Sequence, residues 1–137
     1  MTLVQALEAI DLFRELSAKE LKAVQRLMST VTIKAGHELM TEGTPGREFV
    51  IIIDGEATVR RSGRIVAHVG AGDFLGEFSV IAGVPRTASV TSDTEMTISV
   101  LTRREFSSLL DQQPKIARKV LVATVKRLHD LEPSLVK

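Results

Sequence analysis

Between residues 30 and 101 the chain never keeps one character for long. Short runs rich in Val, Ile and Thr alternate with Gly-containing turns, about every 8 to 12 residues. Runs of that length are strands, because a helix needs ten or more residues of sustained 3.6-residue periodicity. The runs fall at 31–33, 38–41, 48–53, 56–61, 64–69, 74–75, 88–91 and 96–101. The turns between them include 34–37, Asp54-Gly55, Ser62-Gly63 and 70–72. Asp54-Gly55 follows the most strongly β-branched run and carries the strongest short hairpin signal. Roughly eight short strands broken in this way predict a mainly β fold, an antiparallel β-roll or jelly roll.

The flanks read differently. Leu3, Leu7, Ile10, Leu12, Phe13 and Leu16 lie close to helical spacing over 3–16. Ser17 and Glu20 form a capping box, followed by Leu21, Val24, Leu27 and Met28 at helical intervals. Thr102 and Glu105 form a second box, opening a short helix with Phe106, Leu109 and Leu110 inward. Pro114 suits the first position of a last helix, 115–131, which Pro133 would end. Residues 120–125 of that helix are apolar on nearly all sides. A helix lying on one surface needs only one apolar stripe. This one is therefore expected to touch its own roll and, in addition, a ligand or a second subunit. The expectation is one domain over 1–137: a helical lead-in (1–29), the roll (30–101) and C-terminal helices (102–132).

Composition excludes several function classes. A net charge of +1 speaks against a dedicated nucleic-acid surface. Aromatics are 4% of residues, with no Trp or Tyr, so base-stacking platforms for single strands are not expected. No apolar run approaches the roughly 20 residues of a membrane span, and no signal peptide is visible. Cysteine is absent, which removes disulfides, thiolate metal sites and a thiol nucleophile, and fits a cytoplasmic setting. His37, His68 and His129 sit in unrelated segments without ligand spacing, so no metal site is read. No nucleophile–base pair is visible and no catalytic residue is assigned.

The chemistry concentrates in 72–90. Gly76-Glu77 opens a short helix inside the roll, which Gly83 stops and Pro85 prevents from resuming. A helix N-terminus offers free N–H groups to an anion. Arg86 adds a planar fork of donors suited to phosphate. Glu77 is an acceptor and calls for hydroxyls. An anion together with hydroxyls points to a sugar phosphate. Arg60, Arg61 and Arg64 flank a hairpin turn and read as a solvated tip. Lys126 and Arg127 suit the negative end of the last helix, with capping of a ligand as the minor alternative.

With these residues in view, the chain resembles the cyclic nucleotide-binding domain family. The resemblance runs through 12–17, the 35–38 turn, Glu42-Gly43, 53–56 and, most specifically, the phosphate-binding cassette 74–79 with Pro85-Arg86-Thr87-Ala88. It implies a non-catalytic regulatory module for a cyclic purine nucleotide, cAMP or cGMP, without a cofactor. It implies that Glu77 accepts the ribose 2′-hydroxyl and that Arg86 holds the exocyclic phosphate oxygens. Gly76, Pro85 and the backbone N–H groups of Phe78, Ser79 and Ala88 would shape and complete the cradle. The last helix would close over the base, and 115–131 would meet a second copy or an effector protein. Phe78 and Ser79 replace residues more usual in the family. Thr87 is either a structural hydroxyl or a reader of the guanine amino group. No DNA-reading helix-turn-helix follows, so a module standing alone or cut from a larger chain is expected, with no direct contact to nucleic acid or membrane. Two rivals remain: a degenerate roll kept for protein contacts, and an enzymatic cupin, which would need a histidine cluster.

Overall fold

The computed structural model describes residues 2–131. Eight strands form two four-stranded antiparallel sheets. The first sheet has the order β1 (Ser29–Ile33), β8 (Met96–Thr102), β3 (Glu48–Asp54), β6 (Phe74–Leu75). The second runs β2 (Glu38–Met40), β7 (Ser89–Ser92), β4 (Ala57–Arg61), β5 (Arg64–Val69). The β-roll expected from turn spacing is the fold observed.

β3 explains why its run is apolar throughout. Side chains alternate across a strand, and both faces of β3 are covered. Val50 and Ile52 point between the sheets, where they meet Met40, Ala57, Val90, Met96 and Ile98. Phe49 and Ile51 point the other way, into a cluster shared with the helices. There the Phe49 ring stacks on Phe106 at 4.3 Å and tilts against Phe74 at 5.3 Å. Burying a Phe side chain is worth about 1.5–3 kcal/mol, so these contacts pin the helices to the first sheet.

Asp54-Gly55 is not a hairpin. β3 and β4 lie in different sheets, and the chain crosses from one to the other at this point. The ladder slips between Ile52 and Asp54, and Gly55 adopts φ 97°. A Cβ on Gly55 would lie 2.5 Å from the Glu95 carbonyl oxygen. The crossing docks on the β7–β8 turn: Asp93 N–H donates to Glu56 O at 2.8 Å, and Glu56 N–H to Thr94 Oγ1 at 3.0 Å. Tertiary contact thus overrides the local turn signal. The turn at 34–37 is a second crossing, tied to Ser92 through Gly36 N–H and His37 N–H. The tight hairpin is β4–β5, where Ser62 (φ 51°) and Gly63 (φ 78°) supply the two positive φ angles of a type I′ turn.

The helices follow their caps. The 3–16 stretch is not one helix: α1 (Leu3–Glu8) ends, and a 3-10 turn, Asp11–Phe13, takes over. That break turns Leu12 and Phe13 inward beside Leu7 and Ile10. Both sequence-read capping boxes form, at Ser17–Glu20 for α2 (Ala18–Gln25) and at Thr102–Glu105 for α4 (Arg103–Gln112). α3 (Glu77–Ala82) sits inside the roll, and α5 (Pro114–Leu131) begins at Pro114. The expected stop at Pro133 lies outside the described residues.

Candidate functional site

α3 is bounded by two glycines in the left-handed region, Gly76 at φ 91° and Gly83 at φ 69°. Gly76 has a second reason to be glycine: a Cβ there would lie 2.6 Å from Arg86 Nη1 and 2.7 Å from Glu48 O. The space that the missing side chain leaves is where the Arg86 guanidinium lies. Arg86 is buried, 8% exposed. Its Nη2 donates to Glu48 O at 2.8 Å and its Nη1 to Gly76 O at 3.4 Å. Burial pushes its guanidinium below the usual arginine range, and the charges of Glu48 and Glu77 oppose that shift.

The Arg86 backbone is held as firmly as its head. Arg86 N–H donates to Thr44 O at 2.8 Å, and Gly43 N–H donates to Arg86 O at 2.9 Å. The β2–β3 loop thus clasps the cassette from outside. Gly46 allows that approach, since a Cβ on it would stand 2.3 Å from Ser79 Cβ and 2.9 Å from Arg86 Cδ.

Glu77 is 3% exposed. Its Oε1 accepts from Arg127 Nη1 at 2.5 Å. Arg127 Nη2 donates to Phe74 O at 2.6 Å, and its guanidinium lies 4.8 Å from the Phe74 ring centroid. Glu77 Oε2 is buried without a hydrogen-bond partner. A buried carboxylate oxygen left unpaired is costly, so this atom is suited to a donor arriving from the cavity.

That cavity has a volume of about 430 Å³. Its polar end is lined by Gly76, Glu77, Phe78, Ser79, Arg86, Thr87 and Ala88. All the sequence-read site residues except Pro85 therefore share one cavity. Pro85 is exposed and turns the chain just ahead of Arg86. The opposite end is mainly apolar, with Val59, Val66, Ala67 and Val69 from the β4–β5 hairpin. Arg127, Asp130 and Leu131 of α5 close one side.

In the sequence Arg127 reads first as a dipole charge, with capping of a ligand as the minor alternative. A signal was present: Ile116, Val120, Ala123 and Arg127 follow one another at helical intervals on one face of α5, and the first three pack into the core. A cation that continues an inward stripe needs a buried acid, and Glu77 is that acid. Arg61 is likewise more than a solvated tip, because its Nε donates to Thr87 O at 3.3 Å. No local pattern in the sequence marks the close approach of Gly46. Among the described residues no group of three or more His, Asp or Glu side chains is placed to hold a metal ion. None of their helices is long and apolar enough to cross a membrane.

An antiparallel roll with helices at both ends and a cavity beside an internal helix defines the class: a small β-roll built around a cavity. The chain belongs to the cyclic nucleotide-binding domain family, whose model matches residues 30–113. It is 30% identical over 130 residues to a cAMP-dependent protein kinase regulatory subunit of Neurospora crassa, covering 93% of this chain and 34% of that protein. It is 28% identical over 130 residues to a CRP-like cAMP-activated global transcriptional regulator of Mycobacterium tuberculosis, covering 91% of this chain and 58% of that protein. The chain thus spans about a third to three-fifths of these relatives. The catabolite activator protein of Thermus thermophilus superposes with a TM-score of 0.81 at 22% identity, over 90% of this chain and 61% of that one, which is a likeness of fold.

Proposed function

We propose that this chain is a regulatory, non-catalytic module that binds a 3′,5′-cyclic purine nucleotide and relays binding through its C-terminal helices. The observation that carries this is Glu77. Its Oε2 is a buried acceptor with no partner, and Glu77 lines the same cavity as Arg86. A ribose 2′-hydroxyl supplies the donor that Oε2 lacks. The cyclic phosphate takes Arg86 and the N–H groups that open α3, which have no intrahelical acceptors. The apolar hairpin end receives the flat base.

Two hydrogen bonds lead from α3 outward and support the relay. Arg127 of α5 holds Glu77, and Arg103 at the start of α4 donates through Nη2 to Ser79 O at 3.1 Å. A ligand that draws α3 inward pulls on both helices and shifts an existing equilibrium between two arrangements of α5. α5 presents Leu121, Val122, Val125 and Leu128 to solvent, and Leu121 is 63% exposed. That face is the readout surface for a second copy or an effector protein. The relatives named for cAMP favour cAMP as the ligand, while Thr87 beside Arg86 keeps cGMP in the comparison. A cytoplasmic setting accords with this role.

Calorimetry and thermal melting with cAMP and with cGMP test the proposal. Ligand at about 100 times its dissociation constant adds about 2.7 kcal/mol of stability. No heat and no melting shift with either nucleotide at millimolar concentration overturns the reading and favours the degenerate roll.

A further inference from the structure

The two ends of the cavity are held by different means. The cassette is bound into both sheets. The hairpin that forms the apolar end is held through one strand only: β4 is laddered to β7 from Ala57 to Arg60, whereas β5 is an edge strand, exposed along most of its length and paired only with β4. Beyond Arg60, where that ladder ends, the tip and β5 are free to splay unless the tip is fixed.

Two contacts fix it. Ser62 N–H, at the tip, donates to Glu42 Oε1 at 2.9 Å. Arg61 Nε donates to Thr87 O at 3.3 Å. Glu42 is itself anchored to the far end of the cassette, since its N–H donates to Ser89 Oγ at 2.9 Å. The residues after it, Gly43 and Thr44, pair with the Arg86 backbone in both directions. Ser62 is the one non-glycine residue with positive φ among those described, and Glu42 satisfies the N–H which that tip presents.

We propose, on the basis of the function put forward above, that Glu42 is a positioning residue: its carboxylate brackets the β4–β5 hairpin to the end of the cassette and so sets how tightly the apolar wall closes on the purine. Glu42 touches no ligand atom in this role. It acts through Ser62 on a wall that meets the base, and it leaves the sugar-phosphate end unchanged. Glu42 is exposed, so its side chain is dispensable for the core.

The test separates base from sugar phosphate. The probes are cAMP, cGMP and the base-less ribose 3′,5′-cyclic phosphate, titrated into the 137-residue chain and its variants. Glu42→Ala is expected to bind the tighter nucleotide about tenfold more weakly, the effect of one lost hydrogen bond to a charged acceptor, mainly through faster dissociation. Its affinity for the base-less ligand stays at the parent's value, and its melting temperature without ligand falls by no more than a few degrees, the cost of one exposed hydrogen bond. Glu42→Gln keeps the acceptor oxygen and recovers most of the loss. Arg61 lines the cavity itself, so the second variant is Ser89→Ala, which frees the Glu42 N–H at the other end of the bracket and repeats the pattern independently, keeping the test alive if Glu42→Ala folds poorly. Equal weakening of nucleotide and base-less ligand, or parental nucleotide binding by Glu42→Ala, overturns the bracket. A parent that binds none of the three probes overturns the proposed function and the bracket with it.

Discussion

The two walls of the cavity are held to very different degrees. On the cassette side, Gly76 and Gly83 set the bounds of α3, and the Arg86 backbone is hydrogen-bonded through both its N–H and its carbonyl. On the α5 side, only the first half of the helix is buried deeply, at Ile116 and Val120. Beyond Val120 the inward contacts narrow to Ala123 and Arg127, while Leu121, Val122, Val125 and Leu128 face solvent. Rigid donors preorganise binding, and the far half of α5 is held chiefly through one side chain, Arg127, which pairs with Glu77 and also bonds Phe74 O. On the function proposed above, that difference assigns affinity to one wall and response to the other.

The largest expected effect lies on the fixed wall. Arg86→Ala removes charge-assisted bonds to the phosphate, each worth about 1.5–3 kcal/mol. Binding should weaken at least about a hundredfold with the fold retained. Arg86→Lys should recover only part, because the fork is lost. Parental affinity in Arg86→Ala, measured by calorimetry, would reject the site. Glu77→Ala comes next: loss of the ribose acceptor should cost roughly tenfold to a hundredfold in affinity. A 2′-deoxy cyclic nucleotide should then bind parent and variant almost equally well.

Arg127 tests the α5 wall. Removing one partner of a fully buried pair costs about 3–5 kcal/mol. Arg127 is one-third exposed, its side chain at 34%, so about 1–3 kcal/mol is expected for Arg127→Ala. Melting should fall by several degrees. Nucleotide affinity should change less than in Glu77→Ala, while the ligand-driven shift of α5 disappears. The chain lacks cysteine, so a single label at Val125→Cys reports that shift cleanly. A response that survives Arg127→Ala would break the division between the walls. The smallest effect is assigned to Thr87→Ala, about threefold or less in the ratio of cAMP to cGMP affinity. A ratio that does not move assigns the hydroxyl a structural role.

Much of this was legible in the sequence because it rests on local rules. Capping boxes at Ser17 and Thr102, the Ser62-Gly63 turn and the glycine bounds of α3 are set by neighbouring residues, and each formed where it was read. The misreadings share one physical cause. Asp54-Gly55 looked like a hairpin until the β7–β8 turn gave Glu56 other partners. Arg127 looked like a dipole charge until Glu77, 50 residues earlier, supplied an acid. Arg61 and Gly46 also act across long sequence distances. Contacts between segments leave little imprint on either segment alone; here the inward stripe of α5 that ends at Arg127 is the exception.

The two-sided burial of β3 has a consequence for how the molecule comes apart. Phe49 and Ile51 belong to the helical cluster, while Val50 and Ile52 belong to the interior of the roll. The strand is therefore a shared keel, and neither cluster can melt without exposing it. Heating should give one calorimetric transition rather than two. The amide protons of β3 should be the last to exchange, while the second half of α5, beyond Val120, exchanges early by local opening.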